Sequence, residues 1–104
     1  MKLENLSNAE LRWRRYVNEY AITAKEAAML RNIWDKSPNK SDVTRRRACG
    51  CRLDLLDDVG PLDSLIYKGF AYQPGRGTVM LTRRRGMDVA RALVAAEQAA
   101  TATR

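Results

Sequence analysis

Leu65-Ile66-Tyr67-Lys68-Gly69-Phe70-Ala71-Tyr72-Gln73-Pro74-Gly75-Arg76-Gly77-Thr78-Val79-Met80-Leu81-Thr82 is the stretch on which the fold turns. Phe70 to Gln73 alternates apolar with other residues, and Thr78 to Leu81 is strand-like. Between them Pro74-Gly75-Arg76-Gly77 is turn chemistry, so the segment predicts a β-hairpin. Upstream, Pro61 suits the first position of a helix and Gly69 the residue just past its end. Leu62, Leu65 and Ile66 form that helix's inward side. Downstream, Thr82 caps a final helix over 83–98 in which Met87, Ala90, Leu93 and Val94 recur at helical spacing. The small, polar tail from Ala99 is expected to fray.

Toward the N-terminus the pattern is helical. Leu53, Leu55 and Leu56 are apolar, and a short helix is predicted from Asn39 or Ser41 through Arg45, Arg46 and Arg47, with Gly50 as its C-terminal glycine. Ser37-Pro38 ends the helix before it, because a residue preceding proline resists the α region. That earlier helix opens with the capping box Thr23-Ala24-Lys25-Glu26 and turns Ala27, Leu30, Ile33 and Trp34 inward. Ser7-Asn8-Ala9-Glu10 opens a first helix near 8–20 in the same way. Its stripe of Trp13, Tyr16, Val17 and Tyr20 has the spacing of a core or subunit-interface face. The chain is predicted to be mainly α with a small β-hairpin.

The 104 residues suffice for one domain, and 45% hydrophobic content for a core. No apolar run approaches the ~20 residues that span a bilayer, and the first residues lack the apolar core of a signal peptide. A soluble, cytoplasmic chain is expected. It contains no histidine, so the commonest general base is missing and a zinc site would have to combine Cys49 and Cys51 with carboxylates. A disulfide across Gly50 would close a very small ring, and the two cysteines are read as reduced thiols. No phosphate-binding glycine loop or nucleophile motif is present. Neither catalytic residues nor a metal or cofactor are predicted, and the chain is read as a binding protein.

Its net charge of +7 favours a polyanionic partner. Lys40, Arg45, Arg46, Arg47 and Arg52 form one basic cluster, and Arg76, Arg83, Arg84 and Arg85 a second. Asp54, Asp57, Asp58 and Asp63 lie between them. Three arginines in the first turn of a helix oppose its macrodipole by about 0.3–1 kcal/mol each, which points to a use for them.

Helices, then Leu65 to Phe70 with its Lys-Gly-hydrophobic step, a glycine-tipped hairpin, and Leu81-Thr82 with Gly86 opening a terminal helix resemble winged-helix regulators of the MarR kind. Ile22-Thr23 followed by an apolar-periodic helix and Ser37-Pro38 is similar to the segment before that family's helix-turn-helix, so the likeness covers about residues 22–95. It implies one winged helix-turn-helix domain over 1–104: an N-terminal helix in 1–21, a helical core in 22–69, a wing in 70–82 and a C-terminal helix in 83–98. It implies a transcriptional regulator that binds double-stranded DNA. Arg76, Arg83, Arg84 and Arg85 would contact backbone and minor groove, and Arg45, Arg46, Arg47 and Arg52 would supply a second anchor. The Trp13, Tyr16, Val17 and Tyr20 stripe would pair two subunits into a homodimer that matches a two-fold operator. The chain departs from the family where the recognition helix falls, about Leu53 to Lys68, because its four aspartates repel phosphates. The alternative is therefore an adaptor or inhibitor that binds a protein through Asp54, Asp57, Asp58 and Asp63.

Overall fold

The computed structural model describes residues 7–37 and 49–102. It is mainly helical with one small antiparallel sheet. Helix α1 (Asn8–Tyr20) and helix α2 (Ala24–Lys36) are followed by strand β1 (Gly50–Arg52) and a 3-10 turn (Leu53–Leu55). Helix α3 (Leu62–Tyr67), strands β2 (Ala71–Tyr72) and β3 (Thr78–Leu81), and helix α4 (Arg85–Ala102) complete the chain. No helix among the described residues is long and apolar enough to cross a membrane.

Both capping boxes form. The Ser7 hydroxyl accepts from the Glu10 amide at 3.1 Å, and the Thr23 hydroxyl accepts from the Glu26 amide at 3.1 Å. Each glutamate accepts in return from its cap residue's amide. Four backbone donors at the two helix starts are satisfied by side chains three positions away. Helix α1 ends at Ala21, whose φ of 52° lies in the left-handed region. Helix α2 ends at Ser37, one residue before Pro38, as the sequence implies.

The hairpin forms as predicted, with Ala71 opposite Leu81 and Tyr72 opposite Met80. The sheet also has a third strand that the pattern did not suggest. Strand β1 pairs with the far side of β3, giving the order β1-β3-β2, with Gly50 opposite Met80 and Arg52 opposite Thr78. Gly50 is therefore not a helix terminus. It is in β1 because it has no side chain: a Cβ there would lie 2.2 Å from Met80 Sδ and 2.7 Å from the Val79 carbonyl. The rest of the helix expected to lead into it, including Lys40, Arg45, Arg46 and Arg47, lies outside the described residues.

The inner face of the sheet carries Cys51, Val79, Ala71 and Leu81 and meets α2 and α4. Leu30, Ile33, Leu65, Phe70, Val79, Leu81 and Val89 are fully buried there. At roughly 1.5–3 kcal/mol per large apolar side chain, this cluster is the main source of stability. Helix α1 packs mainly against α4. Trp13, Tyr16, Val17 and Tyr20 are half-buried against the core by that packing, and Tyr20 meets Phe70 edge-on at 5.2 Å. Helix α4 starts at Arg85 and runs to Ala102, later and longer than the 83–98 expected. Its alanine-rich end continues the helix because alanine is the best helix former.

Gly86 lets α4 approach β2, since a Cβ there would lie 2.0 Å from the Phe70 carbonyl oxygen. Gly77, in the hairpin turn, has nothing within 4 Å of its would-be Cβ. Gly86→Ala should lower stability by about 1–3 kcal/mol, as overpacking does, while Gly77→Ala should stay within about 0.5 kcal/mol. Chemical denaturation of the two variants checks the contrast; equal stabilities would contradict the close approach of α4 to Phe70.

Candidate nucleic-acid interface

The site begins at the end of α3. Gly69 has φ of 81°, a conformation that favours glycine. The Phe70 amide donates to the Leu65 carbonyl at 2.9 Å and the Gly69 amide to the Ile66 carbonyl at 3.0 Å. These two bonds make a Schellman motif, with Phe70 and Leu65 as its buried apolar pair. The Lys68-Gly69-Phe70 step thus stops the helix and turns the chain into β2.

Lys68 is fixed at both ends. Its Nζ donates to Glu26 Oε1 at 2.7 Å and to the Ala21 carbonyl at 3.0 Å. Its own carbonyl accepts from Arg85 Nη1 at 2.8 Å. Glu26 is only 2% exposed and also accepts from Ser64 Oγ at 2.5 Å and from the Thr23 amide at 2.8 Å. Burial alone would raise its carboxyl. The hydrogen bonds from Lys68, Ser64 and the Thr23 backbone, with the charge of Lys68, outweigh burial and lower its pKa from 4.5 to about 2.

From Phe70 the contacts reach the start of α4. The Thr82 amide donates to the Phe70 carbonyl at 3.0 Å, and the Thr82 hydroxyl donates to the Gly69 carbonyl at 2.8 Å. The same hydroxyl accepts from the Gly86 amide at 2.7 Å, so Thr82 caps the last helix as expected. Arg83 and Arg84 form the turn between Thr82 and α4, ahead of the helix rather than inside its first turn.

The arginines of the second cluster therefore divide. Arg85 is held by the Lys68 carbonyl and lies over the Tyr20 ring, 5.1 Å from its centroid. Arg83 and Arg84 are exposed and make no ion pair with the described residues. Arg76 is exposed at the hairpin turn, where its side chain likewise has no acidic partner among them. Arg52, assigned by the sequence pattern to the first cluster, sits at the end of β1 beside that turn. The next residue, Leu53, donates its amide to the Gly77 carbonyl at 2.8 Å. Arg52 is paired with Asp54 on the surface, where such a bridge is worth about 0–1 kcal/mol. Basic side chains thus stand at both ends of β3: Arg52 and Arg76 at one, Arg83 and Arg84 at the other. Arg45, Arg46 and Arg47 lie outside the described residues.

The acidic residues do not share one helix. Asp54 belongs to the 3-10 turn, Asp57 accepts from Asn32 at 3.2 Å, and Asp58 accepts from the Gly60 amide at 2.8 Å. Only Asp63 is in α3. Cys49 and Cys51 are both free thiols, the first buried. Burial raises the Cys51 thiol above its ordinary value, with Lys36 opposing and Asp54 adding. No group of three or more potential metal ligands assembles among the described residues. No known protein family, curated protein or solved structure matches the chain.

Sequence reading recognised Glu26 as a capping residue but not as the partner of Lys68, which lies 42 positions away. Because its pKa is lowered on folding, Glu26 stabilises the fold fully above about 4.5. That stability is lost as pH falls from 4.5 toward about 2. Glu26→Gln should be less stable than the parent at pH 7 and should approach it near pH 2. Denaturation at a series of pH values tests this; a stability difference that stays constant from pH 7 to pH 2 would contradict the ion pair.

Proposed function

We propose that the chain is a winged-helix regulator of transcription that binds duplex DNA through Arg52 and Arg76 at one end of β3 and Arg83 and Arg84 at the other. The observation that carries this reading is that Arg76, Arg83 and Arg84 are exposed without acidic partners among the described residues, the last two directly after Thr82, whose hydroxyl bonds to Gly69 and Gly86. Arg76 and Arg83 are separated by a segment that reaches at most about 23 Å at strand rise, a length over which DNA displays several phosphates. Cations at both ends of such a segment suit a backbone contact that positions the protein. Support for the winged-helix form comes from α3 running through a glycine step into a hairpin whose second strand pairs on its other side with β1. The six-residue α3 follows a 3-10 turn and an Asp58-capped loop, so the two-helix unit of a helix-turn-helix is shortened in this segment. Arg45, Arg46 and Arg47 would add to the same polyanion contact.

Docking of a protein on the acidic segment is the second reading, and Leu55 and Val59, both exposed among the aspartates, favour it. Against it, the aspartates do not form one helix face: Asp54 is paired with Arg52 and only Asp63 is in α3.

If the four arginines each meet a phosphate, log affinity for random duplex should fall with log salt with a slope of about −3.6, steeper where Arg45 to Arg47 join. Changing Arg83 and Arg84 together to Ala should reduce the slope by about 1.8 and leave stability within about 0.5 kcal/mol. Salt-titrated fluorescence anisotropy measures both. An unchanged slope, or no binding by the parent protein at low salt, would overturn the reading.

A further inference from the structure

Tyr67 is 91% exposed, more than any other large apolar or aromatic side chain among the described residues. It contributes nothing to the core, which α3 reaches through Leu65 with Leu62 and Ile66 beside it. The two residues that follow it are nonetheless held by side chains from distant segments. Lys68, the next residue, is held through Nζ by Glu26 and through its carbonyl by Arg85. Gly69, the residue after that, accepts from the Thr82 hydroxyl, which is adjacent in the chain to Arg83 and Arg84. An exposed aromatic ring thus stands two residues before Gly69, whose carbonyl is bonded to the residue that precedes Arg83 and Arg84, the two arginines that lack acidic partners among the described residues.

Resting on the reading that these arginines hold phosphates, we propose that Tyr67 is the residue that contacts bases, its ring packing against a thymine methyl group in the groove that α3 faces. Phosphate contacts fix position but carry no sequence information, which comes from groups that reach base edges. The methyl group at C5 distinguishes thymine there, and an apolar ring is suited to it. No arginine or lysine of α3 is available for the task, since the helix has none and Lys68 is engaged by Glu26. Tyr67 acts on specificity, and Arg83 and Arg84 on affinity that is common to all sequences.

The test is selection from a random duplex library by the parent protein, Tyr67→Ala and Tyr67→Phe, followed by binding to the selected duplex and to the same duplex with uracil in place of thymine. Thermal midpoints first establish that the variants fold. The parent should enrich a sequence containing thymine, and replacement by uracil or Tyr67→Ala should each lower the preference over random duplex by roughly tenfold. Combining the two changes should add little to either alone. Tyr67→Phe should keep most of the preference, and no Tyr67 variant should alter the salt slope. A parent that binds with the expected salt slope but shows the same preference without the ring, or no response to uracil, overturns the role of Tyr67 and leaves the phosphate contacts standing. A parent that binds no DNA overturns both.

Discussion

A carboxylate removed from water must find donors, and the donors Glu26 finds decide how three parts of the chain meet. Its own helix supplies the Thr23 amide, while α3 supplies Ser64 and the residue that ends it, Lys68. A buried carboxylate that loses its charged partner is destabilising by up to about 3–5 kcal/mol, so Lys68 matters most among these donors. Satisfying Glu26 sets the position of the α3 C-terminus against α2. Because Lys68 also donates to Ala21 and accepts from Arg85, the end of α1 and the start of α4 are fixed by the same lysine. A purely apolar contact at this point would bury comparable area without specifying direction. Directional bonds to a charged pair specify it, which matters where six residues of helix must aim a hairpin.

The consequence is a division of labour among like residues. Arg85 and Arg84 are neighbours in sequence and equally cationic, yet one braces α3 and covers Tyr20 while the other faces solvent. Substituting all three arginines at 83–85 would therefore combine a loss of the proposed phosphate contacts with a loss of bracing. The same principle separates Lys68 from a DNA-binding lysine. It directly follows α3, and its ammonium group is committed to Glu26.

Much of the fold was legible because local signals and tertiary structure agree. Ser7 with Glu10, Thr23 with Glu26, Ser37 before Pro38, and Gly69 after α3 each act within a few residues, where chain connectivity ensures the encounter. The hairpin was legible for the same reason. Strand β1 was not, because Gly50 carries two compatible meanings and the deciding fact is Met80, 30 positions away. The alternation of Cys49, Cys51 and Leu53 around it is a period-two signal, weakened by the arginines beside it. The length of α4 was underestimated because alanines were weighed as a small-residue tail rather than as helix formers. At the site, the turn chemistry around Arg76 marks it as exposed, whereas Arg83 and Arg84, expected in the first turn of the last helix, precede it, and the capture of Arg85 and Lys68 depends on contacts between distant segments.

The central claim is that the arginines at the two ends of β3, on the frame that Glu26 and Lys68 brace, are the ones that would meet DNA. Backbone amide chemical shifts, followed while a short duplex of random sequence is added at low salt, test it residue by residue. The account predicts the largest changes at Arg76-Gly77 and at Thr82 to Arg85, with smaller ones at Tyr67 to Gly69. Among the described residues, shifts concentrated at Asp54 to Asp63, or none at Arg83 and Arg84 when the duplex is saturating, would contradict it.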